Sequence, residues 1–343
     1  ANGIRNAYKM SIFISIASYQ DPLLVSTIFG AYNNAYDKSN LVFGICDQSD
    51  KPIDISGFNF ANQIHYDYVE PLLSKGACWA RHRIQNFFNN EDYYLQIDSH
   101  TQFSPNWDKQ FIEGLLKIKS NNSDKYFQKP VITSYPRGFK VLDFDSGLFE
   151  LYTADKRTTL IAYRKDSIFS RGSFSRQVGI PLKDSRISHA YLIAAGCIFS
   201  RGNFVKEIPY DPKYYFYGEE LSIALRAFTR GFSFFHIPEV PLFHLYTDVD
   251  NPPRKLHWDP EDDKDRVTKW HELDKKSLAR LDLLFAEKLD GEFGLGEERT
   301  LSDYASLSGI DLKNKMVLDI KKATESEYIE SIDWKNNPLD IKK

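Results

Sequence analysis

Tyr93-Tyr94-Leu95-Gln96-Ile97-Asp98-Ser99-His100 puts a strand-forming apolar run directly before a carboxylate and an imidazole. Residues two apart on a strand face the same side. Asp98 and His100 are therefore predicted to present one ion with an oxygen and a nitrogen ligand at the carboxyl end of a strand. Outward from this stretch, residues 11–17 (SIFISIA), 41–46 (LVFGIC) and 63–69 (QIHYDYV) read as further strands. Asp21-Pro22 follows the first of them as a helix start, because Asp takes up free amides and Pro presets φ. Residues 76–88 read as another helix. Strands alternating with helices predict an α/β fold with a mostly parallel central sheet flanked by helices, and ligands outside the carboxyl ends of its strands. Residues 130–135 and 189–200 are predicted strands, whereas residues 137–184 mix strand and loop signals without a clear order.

Composition narrows the function classes. A chain of 343 residues with 42% hydrophobic and 15% aromatic content buries a substantial core. Its formal charge is −3, from 44 basic and 47 acidic residues, so a nucleic-acid partner is not expected. Cys46, Cys78 and Cys197 are widely spaced, which indicates neither a disulfide framework nor a structural zinc site, and a cytoplasmic location is the expectation. The longest apolar stretch, residues 190–199, falls well short of the roughly 20 residues of a membrane span, so no transmembrane segment is expected. Residues 1–10 read as a leader or tail.

Further along, Tyr217-Gly218-Glu219-Glu220 opens a segment in which Leu221, Ala224, Leu225 and Phe228 recur at i, i+3, i+4 and i+7, the stripe of a buried helix face. Glu219 and Glu220 thus lie in a helix's first turn, where they either complement the helix dipole or act on a substrate. After Pro252-Pro253 a charged run, 259–276, leads to Leu278, Leu281 and Phe285 at near-helical spacing. This divides the chain into a main domain (11–258), a helical C-terminal extension packed on it (259–310) and an appendage (311–343), a docking extension, an oligomer contact or a tail, which Trp334 would anchor if it is ordered.

These motifs, taken in order, resemble one known family. Residues 15–22 (SIASYQDP), 76–81 (GACWAR), the Asp98-Ser99-His100 triplet, 209–212 (PYDP) and 217–220 (YGEE) look like the cytoplasmic polypeptide N-acetylglucosaminyltransferases, whose eukaryotic members modify hydroxyproline. Residues 243–246 (FHLY), His257-Trp258 and 294–299 (GLGEER) extend the likeness to about residues 11–311. More distantly, the D-x-H triplet and the Gly-Glu-Glu helix start are similar to those of mucin-type polypeptide GalNAc-transferases.

The resemblance implies a GT-A fold, a UDP-sugar donor (UDP-GlcNAc first), retention of configuration to give an α linkage, and a divalent cation, Mn²⁺ or Mg²⁺. Mixed oxygen and nitrogen ligands suit Mn²⁺ better than Mg²⁺. Carried over, Asp98, His100 and His244 hold the metal, with His236 and His257 as nearby alternatives to His244. Ser18, Tyr19, Asp21, Asp47, Arg81 and Ser99 become nucleotide contacts, and Gly196 lets backbone approach the donor sugar. Tyr135 and Arg137 fall on the acceptor side, and Glu220, with Glu219 as second choice, acts on the acceptor hydroxyl. That acceptor is a protein or glycan hydroxyl. A capsule or lipid-linked oligosaccharide acceptor with another UDP-sugar, and a non-catalytic binding module of the same fold, are the alternatives. D-x-H also opens dinuclear phosphoesterase sites, but the G-D-x-x-D and G-N-H-[DE] segments those enzymes add do not occur here.

Overall fold

The computed structural model describes residues 10–247, 251 and 253–325. Trp334, part of the predicted leader and most of the appendage lie outside the described residues. The β-branched and aromatic run IFISIASY forms β1 (Ile12–Tyr19), buried along nearly its whole length, as a central strand covered on both faces requires. It leads to α1 (Leu24–Asn34), then β2 (Leu41–Gln48), β3 (Ile64–Tyr68), α2 (Ala77–Gln85) and β4 (Tyr93–Asp98). The strands β1, β2, β3 and β4 pair in parallel, and Ala17 of β1 lies level with both Asp98 and Cys46. Their carboxyl ends therefore form one edge, onto which Tyr19, Gln48 and Asp98 open.

β5 (Thr101–Phe103) begins just past β4 and is followed by α3 (Trp107–Asn121) and β6 (Pro130–Thr133). The unordered stretch of sequence resolves into two hairpins, β7 (Arg137–Asp143) with β8 (Leu148–Leu151), and β9 (Thr159–Tyr163) with β10 (Gln177–Pro181). Residues 189–200 are not one strand. They divide into β11 (Ser188–Ala190) and β12 (Cys197–Arg201), because the chain turns back at Ala194–Cys197. Then come α4 (Asn203–Glu207), α5 (Glu219–Thr229), β13 (Ser233–His236) and β14 (Leu242–His244).

The main sheet has the order β11-β13-β6-β12-β4-β1-β2-β3. Only β12 and β11 run against the other six strands, so the mostly parallel sheet read from the sequence is present, with helices on its faces. A second sheet, β5-β14-β7-β8, stands at its carboxyl edge. Among the described residues no helix is long and apolar enough to cross a membrane.

The C-terminal segment is helical, with α6 (Pro260–Asp263), α7 (Trp270–Phe285) and α8 (Leu301–Ser308), and buries Leu281, Leu284, Phe285 and Tyr304 in one core with the main sheet. The motif at 294–299 closes the end of α5. Gly296 N–H donates to Thr229 Oγ1 at 2.8 Å, while buried Arg299 donates to Phe232 O at 2.7 Å and to Ser233 Oγ at 2.8 Å. Its guanidinium also lies 4.7 Å from the Phe228 ring centre. Arg299→Met keeps the stem but leaves those buried acceptors unmatched, so it should cost about 2–4 kcal/mol of stability, measured as the shift in urea unfolding free energy, while the distant cavity is untouched.

Candidate active site

A cavity of about 650 Å³ lies at the carboxyl edge of the main sheet, walled by the loop after β1, the start of α2, the 98–100 bend, the 194–196 turn, the start of α5 and residues 254–258. Asp98 is the last residue of β4, and Ser99-His100 form a bend before β5. The two ligands thus meet by a change of chain direction and not by strand alternation, which corrects the reason given by the sequence. His244 reaches them through the second sheet, where β14 pairs with β5 and sets His244 opposite Thr101.

His244 Nε2 lies 2.9 Å from Asp98 Oδ2 and 3.0 Å from His100 Nε2, and His100 Nε2 lies 3.8 Å from Asp98 Oδ2. Two ligand atoms about 2.1 Å from a shared ion and at right angles are about 3 Å apart, so these separations fit one divalent cation held by two imidazoles and a carboxylate. Gly196 makes room for the carboxylate: a Cβ there would sit 2.7 Å from Asp98 Oδ2. The Arg254 guanidinium rests against His100 Nε2, so a cationic group already occupies the approach. His236 is not a rival ligand, since its Nδ1 donates to Thr133 O at 2.8 Å and its Nε2 accepts from Ile161 N–H at 3.1 Å.

Behind the cluster lies a buried ionic network. Arg81 donates to Asp98 Oδ1 at 3.0 Å and to Ile97 O at 3.2 Å, and its Nε is 3.9 Å from Glu219 Oε2. Tyr210 donates to the same Glu219 oxygen at 2.9 Å and accepts from Gln96 at 2.8 Å. Burial pushes the Asp98 carboxyl up, but the His244 hydrogen bond and the electrostatic pull of the His244 and His100 imidazoles and of Arg81 outweigh it and hold it well below the usual range. Burial lowers His244, and burial raises Glu219. Glu220 sits on the opposite wall, accepting from Ala195 N–H at 2.7 Å and from Gln177 at 3.4 Å. Burial, with Glu219 and Asp98 adding to it against the Ala195 bond, pushes Glu220 up to about 8.

The residues singled out in the sequence separate into groups. Asp98, His100, His244, Gly196, Glu220, Tyr135, Tyr19, Asp21, Ser99 and Arg81 all line the cavity. Within it, Arg81 is committed to Asp98, Glu219 lies behind Arg81, and Asp21 is taken up by Ser99 and His100 at 2.6 and 2.7 Å. Tyr19 presents its ring, 5.0 Å from that of His257, but its hydroxyl bonds Asp262 and Arg266. Ser18 and Asp47 do not reach the wall: Ser18 is buried, and the Asp47 carboxylate takes Tyr66 OH at 2.5 Å and Ser49 Oγ at 2.6 Å. Arg137 is also outside the wall, donating to Thr153 O at 3.1 Å with its guanidinium over Phe243.

Several wall residues were given no role from sequence. Arg254, Gln177, Tyr215, Phe216, Tyr217 and Trp258 belong to the cavity, and so does His257, one of the alternatives weighed against His244. His257 lies between Tyr215 OH at 2.6 Å and Ser74 Oγ at 3.0 Å. The available signal was the basic and aromatic run Arg254–Trp258, wedged between prolines and an acidic segment.

With this geometry in place, the comparisons with known proteins can be set beside it. Residues 53–314 match the family described as Glycosyltransferase (GlcNAc). The chain belongs to this family. No curated protein sequence matches it. Among solved structures, GalNAc-T7 with UDP, GalNAc and Mn²⁺ superposes over 80% of this chain and 48% of its own, at 15% identity and a TM-score of 0.56. The chain therefore spans about half the length of that relative and shares its GT-A fold. S. aureus TarS with UDP-GlcNAc matches over 82% of this chain and 68% of its own, at 11% identity and a TM-score of 0.47.

Glu220 gives a sign-specific prediction for the metal-free glycosyltransferase. Its ordinary value of 4.5 rises to about 8 on folding, so the stability it contributes is full below 4.5 and is lost as pH rises through about 8. Glu220→Gln removes that loss. The variant's unfolding midpoint should exceed the wild type's by a margin that widens between about pH 5 and about pH 8.5. A constant margin in urea titrations across that range means that folding leaves Glu220 unshifted.

Proposed function

We propose that this chain transfers a sugar, GlcNAc first among candidates, from a UDP-sugar to a hydroxyl acceptor with retention at the anomeric carbon. Convergence of Asp98, His100 and His244 on the cavity floor of a glycosyltransferase carries the reading. A divalent cation on these three residues, Mn²⁺ ahead of Mg²⁺, would supply Lewis-acid stabilisation of the nucleotide diphosphate as it leaves.

The chain's own groups complete the site. Arg254 stands beside the cluster with its Nε buried and without a hydrogen-bond partner, a fork-shaped donor suited to a diphosphate. On the far wall, burial pushes the Glu220 carboxyl up to about 8, and both its oxygens already accept, one from Ala195 N–H and one from Gln177. This favours a front-face route in which the leaving phosphate takes the acceptor's proton over Glu220 as an ionised nucleophile. Beyond Glu220 the wall turns aromatic: Phe216 is exposed and meets Trp258 at 5.0 Å between ring centres. This rim, with Tyr135, suits the ring of a glycan or prolyl acceptor.

Calorimetric titration of UDP into metal-stripped protein tests the reading, with and without Mn²⁺ and with His244→Ala, a residue whose imidazole bonds only within the cluster. Binding should require Mn²⁺ and weaken at least about tenfold in the variant. Equal affinity without metal, or no UDP binding at all, sinks the proposal.

A further inference from the structure

We infer that Asp21 is a positioning residue of the cation site: it fixes His100 in the Nδ1–H tautomer and so turns a bare Nε2 toward Asp98 and His244. This role differs from the nucleotide contact expected of Asp21. Its consequence for metal binding rests on the cation site proposed above, but the tautomer does not.

The Asp21 carboxylate is engaged by three groups of the protein itself. Oδ1 accepts Leu23 N–H at 2.9 Å, and Oδ2 accepts Ser99 Oγ at 2.6 Å and faces His100 Nδ1 at 2.7 Å. An ionised carboxylate only accepts, so the proton on that side belongs to His100 Nδ1. In a neutral imidazole that leaves Nε2 with its lone pair free. The Arg254 guanidinium lies against the ring near both nitrogens and does not distinguish them, so the Asp21 contact alone assigns the proton.

His244 is set the other way. Its Nε2 faces Asp98 Oδ2 at 2.9 Å and therefore bears the proton there, while its Nδ1 is buried with no hydrogen-bond partner among the described residues. To ligate a cation through Nε2, His244 must move that proton to a nitrogen where nothing receives it. The two imidazoles are inequivalent: His100 is prepared for a cation and His244 is not, and Asp21 is the difference.

Asp21→Asn tests this with nearly unchanged shape. Leu23 N–H is a backbone donor that cannot turn, so the amide oxygen takes its side and the amide NH₂ faces His100 Nδ1. That reverses the tautomer and puts a proton on Nε2. Long-range ¹H–¹⁵N spectra of metal-free protein, with His100 assigned through His100→Gln, should show Nδ1–H in the wild type and Nε2–H in Asp21→Asn. Mn²⁺ affinity by electron paramagnetic resonance should fall about 10–100-fold in Asp21→Asn. A wild-type His100 protonated at Nε2 overturns the inference without any variant having to fold. So does an Asp21→Asn protein that keeps Nδ1–H, or one whose Mn²⁺ affinity stays within about twofold. A wild type that binds no Mn²⁺ ends the proposed function, and the two spectra still decide the role of Asp21.

Discussion

Asp98 is a carboxylate in a protein cavity, and the His244 hydrogen bond, the neighbouring His100 imidazole and the buried Arg81 guanidinium 3.0 Å behind it together let it stay ionised there. Arg81 also faces Glu219, so one cation is shared between two acids. Asp21 and Glu220 bring further carboxyl groups to the same walls. Burial first, and the nearby Glu219 and Asp98 after it, raise the Glu220 carboxyl, while Arg254 sets a guanidinium against the cluster. A divalent cation between Asp98 and the histidines would ease the repulsion among these carboxyl groups.

Much of the fold was legible because buried parallel strands leave dense β-branched runs. IFISIASY, LVFGICDQ and YYLQID all form the strands expected, with ends displaced by one or two residues. The pairing of Asp98 with His100 was legible too, although a bend joins them. Other relations depend on register and helical phase, which local sequence does not carry. His244 meets His100 only because β14 pairs with β5 in one particular register. Glu219 and Glu220 are neighbours about 100° apart around α5, so one turns into the Arg81 network and the other into the cavity. Asp47 ends the strand expected of it, yet Tyr66 on the adjacent strand holds its carboxylate away from the wall.

The sequence places a boundary near residue 258, and the side chains run across it. Tyr19, at the end of the first strand, gives its hydroxyl to Asp262 and receives Arg266. His257 ties Tyr215 to Ser74, and Ser277 of α7 receives Tyr215 N–H at 3.1 Å and donates to Tyr217 O at 2.5 Å. The aromatic rim is thus held from outside the sheet by the C-terminal helices. The sheet alone would supply Asp98 and the start of the β1 loop, but neither the ring that Tyr19 turns to the cavity nor the wall opposite it. The C-terminal helical segment is therefore part of the site, and the chemistry at the strand ends depends on residues more than two hundred positions downstream.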